Sequence, residues 1–317
     1  CEMARRRFEP AAPKPYEFVP LPEGRIERKE PAGHAAYRDG TVSGVLRGVL
    51  VARTPIHVAS GQLETTDDPR YPLVKAHVRS AGRPVVPGSS LKGCIRSIVE
   101  AITPSCVRIT RARRDQLPRQ VQGCSRKGEL CLACRMFGSL GYQGLVHFSD
   151  AMLAEGDTEV STAPPLYMPR SREGLYYRGG KVAGRKFYQH GRPAAGEVPL
   201  EVCPVGSRLE FTLHFDNLRP AELGVLLLAL GQGEPRLYPK LGGAKPVCRG
   251  SVEVEVTGLE VFEDPRTAYA GYELKTAPVD VGRYLNAAKP VVLPEQLKQL
   301  ASILRFQAER ECPAENY

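Results

Sequence analysis

The sequence predicts an α+β fold in the order strand, helix, strand, strand, helix, strand. Two observations carry this. Four stretches have strand character: Thr41 to His57 is rich in Val and Leu, Gly144 to Phe148 is short and apolar, and Glu210 to Phe215 and Val252 to Val256 alternate. Two apolar stretches have helical character, one beginning after Gly88 and one at Pro220, and they follow the first and third strands. That order is the ferredoxin-like (RRM-like) βαββαβ plan. RNA-recognition domains use it too, although a fold alone assigns no function.

Each element has its own grounds. The first strand runs into Thr54 to Gly61, TPIHVASG, and a polar loop then continues to Gly82. Pro87 and Gly88 turn the chain, and Ser89 and Ser90 are N-cap candidates because a hydroxyl can accept from the free N–H groups of a first helical turn. Leu91, Ile95, Ile98, Val99 and Ile102 give that helix one buried face, with Lys92 and Arg96 towards the opposite side. Phe211, Leu213 and Phe215 share a face of the third strand, which Asn217 ends. Pro220 opens the second helix, AELGVLLLALG, and Val252, Val254 and Val256 alternate with Glu253 and Glu255 in a half-buried last strand. Residues 263 to 292 read as irregular, and Leu293 to Gln307 as a terminal helix. The predicted organisation is an N-terminal arm (1–38), a central domain (39–262) interrupted at 103–136 and 155–197, and a C-terminal extension (263–317).

Composition narrows the function classes. The 317 residues carry a formal charge of +9, which favours a polyanionic partner, nucleic acid first. No apolar run approaches the roughly 18 residues of a membrane span. The Arg-rich start has no apolar stretch of the signal-peptide kind. A cytoplasmic protein is expected, so its nine cysteines point to metal or buried thiols rather than disulfides.

Four of them, Cys106, Cys124, Cys131 and Cys134, lie in the first insertion, the last two as a C-x2-C knuckle. Four thiolates in an Arg-rich segment suit tetrahedral Zn(II); four free thiols are the alternative. No thioredoxin-like strand precedes the knuckle, which counts against redox chemistry. Cys94, Cys203 and Cys248 sit beside apolar runs, as structural residues do. The same insertion is dense in arginine, including Arg108, Arg113, Arg126 and Arg135, either a phosphate-contacting surface or a solvated face. In Tyr167 to His190, cations such as Arg170, Arg172, Arg185 and Lys186 interleave with Tyr176, Tyr177, Phe187 and Tyr188. Cations can meet phosphates while rings stack on unpaired bases. The Ser89–Ser90 turn with Lys92 gathers N–H groups, a helix dipole and a cation, an anion-binding arrangement, although it is no Walker loop.

Several stretches resemble the RAMP superfamily, whose members build type III CRISPR effector complexes. They are TPIHVASG, VPGSSLKGCIRS (Val86 to Ser97), CLACRMFGS (Cys131 to Ser139) followed by GLVHFSDA, and LGGAKPVCRGSV (Leu241 to Val252). The resemblance looks closest to the backbone subunits that polymerise along guide RNA. It implies that the helix start (Ser89, Ser90, Lys92, Arg96) and the glycine-rich loop (Lys245, Arg249) lie against guide RNA. It also implies a thumb-like hairpin at the guide–target duplex, with Arg185 and Lys186 near it. An Asp before the first helix would cut target RNA with Mg(II) or Mn(II). Pro72-Leu73-Val74 fits the motif after that Asp, but Arg70 occupies its position, which leaves Asp67 and Asp68 slightly upstream. The expected partners are guide RNA, target RNA and other effector subunits. The alternatives are a metal-independent guide-processing endoribonuclease, using His57 or His190, and a zinc-ordered protein scaffold.

Overall fold

The computed structural model describes residues 15–108, 110–167, 176–266, 275–277 and 279–312. In chain order the elements used below are β1 (Tyr16–Val19), β2 (Val42–Ala52), β3 (Ala59–Thr65), β4 (Leu73–His77) and β5 (Arg83–Val86). Then come α1 (Gly88–Ile102), α2 (Leu132–Phe137), β6 (Val146–Phe148), β7 (Ala151–Leu153), β8 (Glu159–Ala163), β9 (Arg185–Tyr188) and β10 (Val198–Val202). The last are β11 (Arg208–Leu218), α3 (Pro220–Ala229), β12 (Val252–Phe262), α4 (Val281–Ala288) and α5 (Pro294–Ile303).

The fold is mixed α+β with several sheets. In the largest, β2 lies between β12 and β11, and β11 also pairs with β6 and β7; these pairings are antiparallel. The alternation in β11 works as expected: Leu209, Phe211, Leu213 and Phe215 are buried while Glu210 and His214 are exposed. Opposite them, Gly48 and Gly44 face Phe211 and Phe215. A β-carbon on Gly48 would come within 2.7 Å of the Phe211 ring, and one on Gly44 within 2.8 Å of the Phe215 ring. The two glycines therefore let both rings lie over the neighbouring strand. Leu91, Ile95, Ile98, Val99 and Ile102 of α1 are at most 1% exposed and join the same core as the sheet and α3. Each such side chain contributes about 1.5–3 kcal/mol by burial.

Several expectations are corrected. The polar loop before Gly82 is the β3–β4 hairpin, on the edge of a second sheet of order β8, β10, β4, β3. All seven residues of β3 are exposed, so it has no apolar face to reveal it in sequence. The arm contains β1, which pairs with β9 of the second insertion. Within 263–292 lies α4, whose Val281, Tyr284, Leu285 and Ala288 recur at helical spacing and pack on the core. The N-cap position of α1 is Pro87, no side chain caps it, and Ser89 and Ser90 lie inside the first turn. Cys248 is disulfide-bonded to Cys312, against the expectation of thiols only. The C-terminal segment brings Cys312 there by running beside Arg192, whose N–H donates to the Arg310 carbonyl at 2.7 Å. Among the described residues no helix is long and apolar enough to cross a membrane.

Candidate metal centre and nucleic-acid interface

Beyond α1 the chain turns at Thr103, whose hydroxyl donates to the Val99 carbonyl at 2.7 Å. The Ser105 hydroxyl accepts from the N–H of Ala133 at 3.2 Å, which ties this turn to α2. Those contacts bring Cys106, Cys124, Cys131 and Cys134 together, all buried, with ligand atoms within 4.8 Å of one another. Cys106 Sγ lies 3.6 Å from Cys131 Sγ and Cys134 Sγ, and 3.9 Å from Cys124 Sγ. A tetrahedral ion with Zn–S bonds of about 2.3 Å sets its sulfurs about 3.8 Å apart, so the spacing fits Zn(II).

The surroundings suit thiolates. The N–H of Cys131 points at Cys124 Sγ (3.3 Å), and Arg96 Nη2 at Cys134 Sγ (3.4 Å). Arg28 is a second cation beside Cys124. Mutual hydrogen bonding splits the thiols: it holds Cys124 well below the usual range and lowers Cys131 to about 7, while it raises Cys106 and Cys134. Four thiolates so close ionise together only around a cation. The buried four-cysteine cluster can therefore hold a metal such as zinc.

Two arginines expected at RNA instead frame this centre. Glu100 is buried, with Arg96 Nε on its Oε1 (2.7 Å) and Arg185 Nη2 on its Oε2. Arg185 also donates to the Cys106 carbonyl at 3.2 Å. Of the arginine-dense insertion, Arg135 is no surface residue: it is buried and donates to Glu222 Oε1 of α3 at 2.8 and 3.1 Å. Arg113 and Arg126 pair with Asp115 and Glu129 at the surface.

The helix start differs from an open anion site. Gly88 N–H donates to Asp150 Oδ1 at 2.8 Å, so a carboxylate already meets the positive end of α1. Asp150 reaches it because a β-carbon on Gly88 would lie 2.3 Å from the Phe148 carbonyl oxygen; only glycine admits this turn. Lys92 Nζ donates to the Val146 carbonyl at 2.7 Å, and burial lowers its ammonium pKa. Lys92, Arg96 and Arg108 nevertheless line one open cleft of about 720 Å³.

Three segments far apart in sequence meet beside α1. Gly243 N–H donates to the His57 carbonyl at 2.7 Å, Gly250 N–H to Pro55 at 3.0 Å, and Cys94 Sγ to the Lys240 carbonyl at 3.4 Å. TPIHVASG, the α1 signature and the glycine-rich loop thus form one surface. Ala244 and Cys248, the positions where the loop is poorest in glycine, have φ of 53° and 64°. Both occupy the left-handed region that glycine tolerates best. The Lys245 side chain is half-buried and has no hydrogen-bond or ion-pair partner among the described residues. Arg249 is buried, bonded through Nη2 to Ser161 Oγ and the Thr162 carbonyl, with Nε and Nη1 unpaired. Lys186 Nζ sits over the rings of Tyr16, Tyr188 and Tyr176, at 3.8, 4.7 and 5.2 Å from their centroids. Arg170 and Arg172 lie outside the described residues.

The sequence matches the family description "RAMP superfamily" over residues 49–253, well over half of the chain. The chain belongs to the RAMP superfamily. No curated protein matches it. RAMP membership suggests a CRISPR-associated RNA-binding role.

In this RAMP protein Asp67 and Asp68 occupy the tip of the β3–β4 hairpin. Asp68 accepts from Arg70 through its backbone N–H (2.9 Å) and guanidinium (2.8 and 3.1 Å), and that pairing lowers its carboxyl pKa. Asp67 is exposed and unpaired among the described residues. The histidines named for acid–base chemistry are buried: His57 Nδ1 bonds the Glu201 carbonyl (2.7 Å), and His190 bonds Ser251 Oγ and the Tyr238 carbonyl (2.8 and 3.0 Å). Sequence reasoning missed Asp150, Glu100 and Glu201 as anchors. Glu201 takes up the His77 N–H, Arg79 and Thr158 at 2.6, 2.5 and 2.6 Å. An isolated acid carries no pattern that separates a buried anchor from a solvated charge.

Proposed function

We infer that this RAMP protein is a guide-RNA-binding backbone subunit of a type III CRISPR effector complex, with one structural Zn(II) in its first insertion. The convergence of the three signature segments beside α1 is the observation that carries this reading, because the family resemblance puts the α1 start and the glycine-rich loop against guide RNA. The antiparallel order β12, β2, β11, β6 supports a ferredoxin-like (RRM-like) core, since it is the arrangement a βαββαβ chain makes when its first and third strands are central. Ser89, Lys92 and Lys245 are the phosphate contacts in this reading. Arg96 and Arg185 act as framework, because their guanidinium groups are already bonded within the chain, while Arg249 is tied to Ser161 and Thr162 through Nη2 alone. Lys186 contributes beside its tyrosines.

The expected result is that Lys92→Ala weakens binding of single-stranded RNA across sequences and lowers the salt slope by about one unit. Measurement of affinity against salt for wild type and variant decides this. Identical affinities and slopes would mean that Lys92 serves only Val146.

Target cleavage is part of the same reading. A divalent metal on one hairpin carboxylate, with RNA oxygens as further ligands, would lower the pKa of an attacking hydroxyl and offset charge at phosphorus. Asp67 is the better candidate because Arg70 neutralises Asp68. In the assembled complex, Asp67→Ala is expected to abolish Mg(II)- or Mn(II)-dependent cutting of bound target while leaving target binding intact; Asp68→Ala is expected to retain it. Unimpaired cutting by the double variant would place catalysis elsewhere. The metal-independent nuclease reading has less support, since His57 and His190 are buried and bonded.

A further inference from the structure

Cysteine is used in two ways in this chain. Cys106, Cys124, Cys131 and Cys134 must stay reduced to hold a metal, and Cys94 and Cys203 are also free thiols. Cys248 and Cys312, 64 residues apart, are nevertheless bonded to each other. Thiolate metal centres and permanent disulfides belong to opposite redox settings. Where thiols are kept reduced, a disulfide is usually of the transient, redox-sensing kind.

The bond joins two segments that little else holds together. After α5 ends, the Phe306 ring packs on the rings of His190 and Tyr238, each at 5.8 Å between centroids. From Gln307 to Glu311 no side chain is buried. Among the described residues, that stretch is held by a short backbone bridge at Arg192 and by an exposed Arg192–Glu309 pair at 3.5 Å, which is worth little. Its seat is nevertheless built: a β-carbon on Gly191 would lie 2.7 Å from the Arg310 carbonyl oxygen and 3.2 Å from Cys248 Sγ.

At the other end, Cys248 closes the turn Lys245–Val247, its N–H donating to the Lys245 carbonyl at 3.1 Å. Its φ of 64° is unfavourable for a residue with a β-carbon, so the surroundings must hold it there. The cross-link is one such tie, made at that residue.

We propose that Cys248 and Cys312 form a reversible thiol–disulfide switch, which a dithiol reductant opens to release the C-terminal segment beyond Phe306 and loosen the glycine-rich loop. Cys312 is half-buried and Cys248 is 2% exposed, so the attacking thiolate meets Cys312 Sγ. The S–S bond breaks, and Cys248 leaves as a thiolate and takes a proton. The second thiol of the reductant then closes its own disulfide and displaces Cys312, which is protonated in turn. The protein gains the two electrons and two protons that the dithiol loses. A small disulfide oxidant reverses the exchange. Lys245 stands in the same turn, so a fixed loop holds it preorganised and reduction weakens RNA binding, a consequence that rests on the proposed function.

The test is limited trypsin digestion of the full chain, oxidised or treated with dithiothreitol. Zinc content is checked, and both cysteines are followed by alkylation and mass spectrometry. Cys312→Ser and Cys248→Gly are the variants; glycine suits the backbone at 248. Reduction of the wild type is expected to speed cleavage after Arg310 about tenfold or more. Both variants should be cut at the faster rate with or without dithiothreitol. RNA affinity is measured in parallel. Affinity lost on reduction and in Cys312→Ser supports the switch and its link to RNA. Faster cleavage with unchanged RNA affinity supports the switch and removes the link. Faster cleavage in a chain that binds no RNA in either state supports the switch and sinks the proposed function. Three results overturn the switch: both cysteines alkylated in the oxidised chain, a bond that dithiothreitol leaves intact in the folded protein, or one cleavage rate in both states.

Discussion

Cys131→Ser is expected to release one zinc ion per chain and to destabilise the protein more than truncation of any one core side chain would. Structural zinc sites bind with apparent free energies on the order of 10 kcal/mol. That is comparable to the whole stability of a typical domain, and a ligand held only by the folded state adds its binding energy to folding. The four sulfurs are buried in the same cluster as α1 and the sheet, so loss of the ion leaves crowded thiols inside the main core. The substitution isolates the metal, because Cys131 is the N-cap position of α2 and serine is a favoured N-cap. Elemental analysis and thermal unfolding with and without chelator are the measurements. Zinc-free native protein whose four thiols react freely would remove the metal centre.

Acid should weaken the fold well above the carboxylate range. Burial holds His77 at about 4 and His190 at about 3, against an ordinary 6.5. Both are neutral when folded and become charged on unfolding, so the unfolded chain binds more protons between those values and 6.5. Their contribution is fully present above pH 6.5 and is lost as pH falls towards the folded values. The two together should cost on the order of 5 kcal/mol by pH 4. Urea unfolding against pH measures this. His190→Gln should lower the slope by about one proton in that window, which separates the histidine from acid release of metal. A slope unchanged by the substitution would show that His190 is not the group responsible.

The main helices and strands were legible because each has a buried face, and burial imposes a period. Leu91 to Ile102 and Phe211 to Phe215 are the clearest cases, and both lie where the pattern places them. The β3–β4 hairpin was not, because a strand exposed along its whole length has no period, whereas the period of α4 (Val281, Tyr284, Leu285, Ala288) spans only two turns and was overlooked. The four cysteines were legible as a set because thiol chemistry restricts what such a cluster does. The pairing of Cys248 with Cys312 was not, because it depends on where the C-terminal segment returns.

By itself the sequence determined the family signatures, the order of the main elements and the four candidate metal ligands. Those follow from residue types and spacing along the chain. Tertiary structure alone decided which charges remain available. Arg96 and Arg185 read as phosphate contacts until Glu100 is placed between them, and at the α1 start Asp150 takes the Gly88 N–H while Ser89 stays exposed. A charged residue looks the same in sequence whether it faces water, an ion partner or a pocket, because the burial and Coulomb terms that distinguish these depend on residues brought close only by folding.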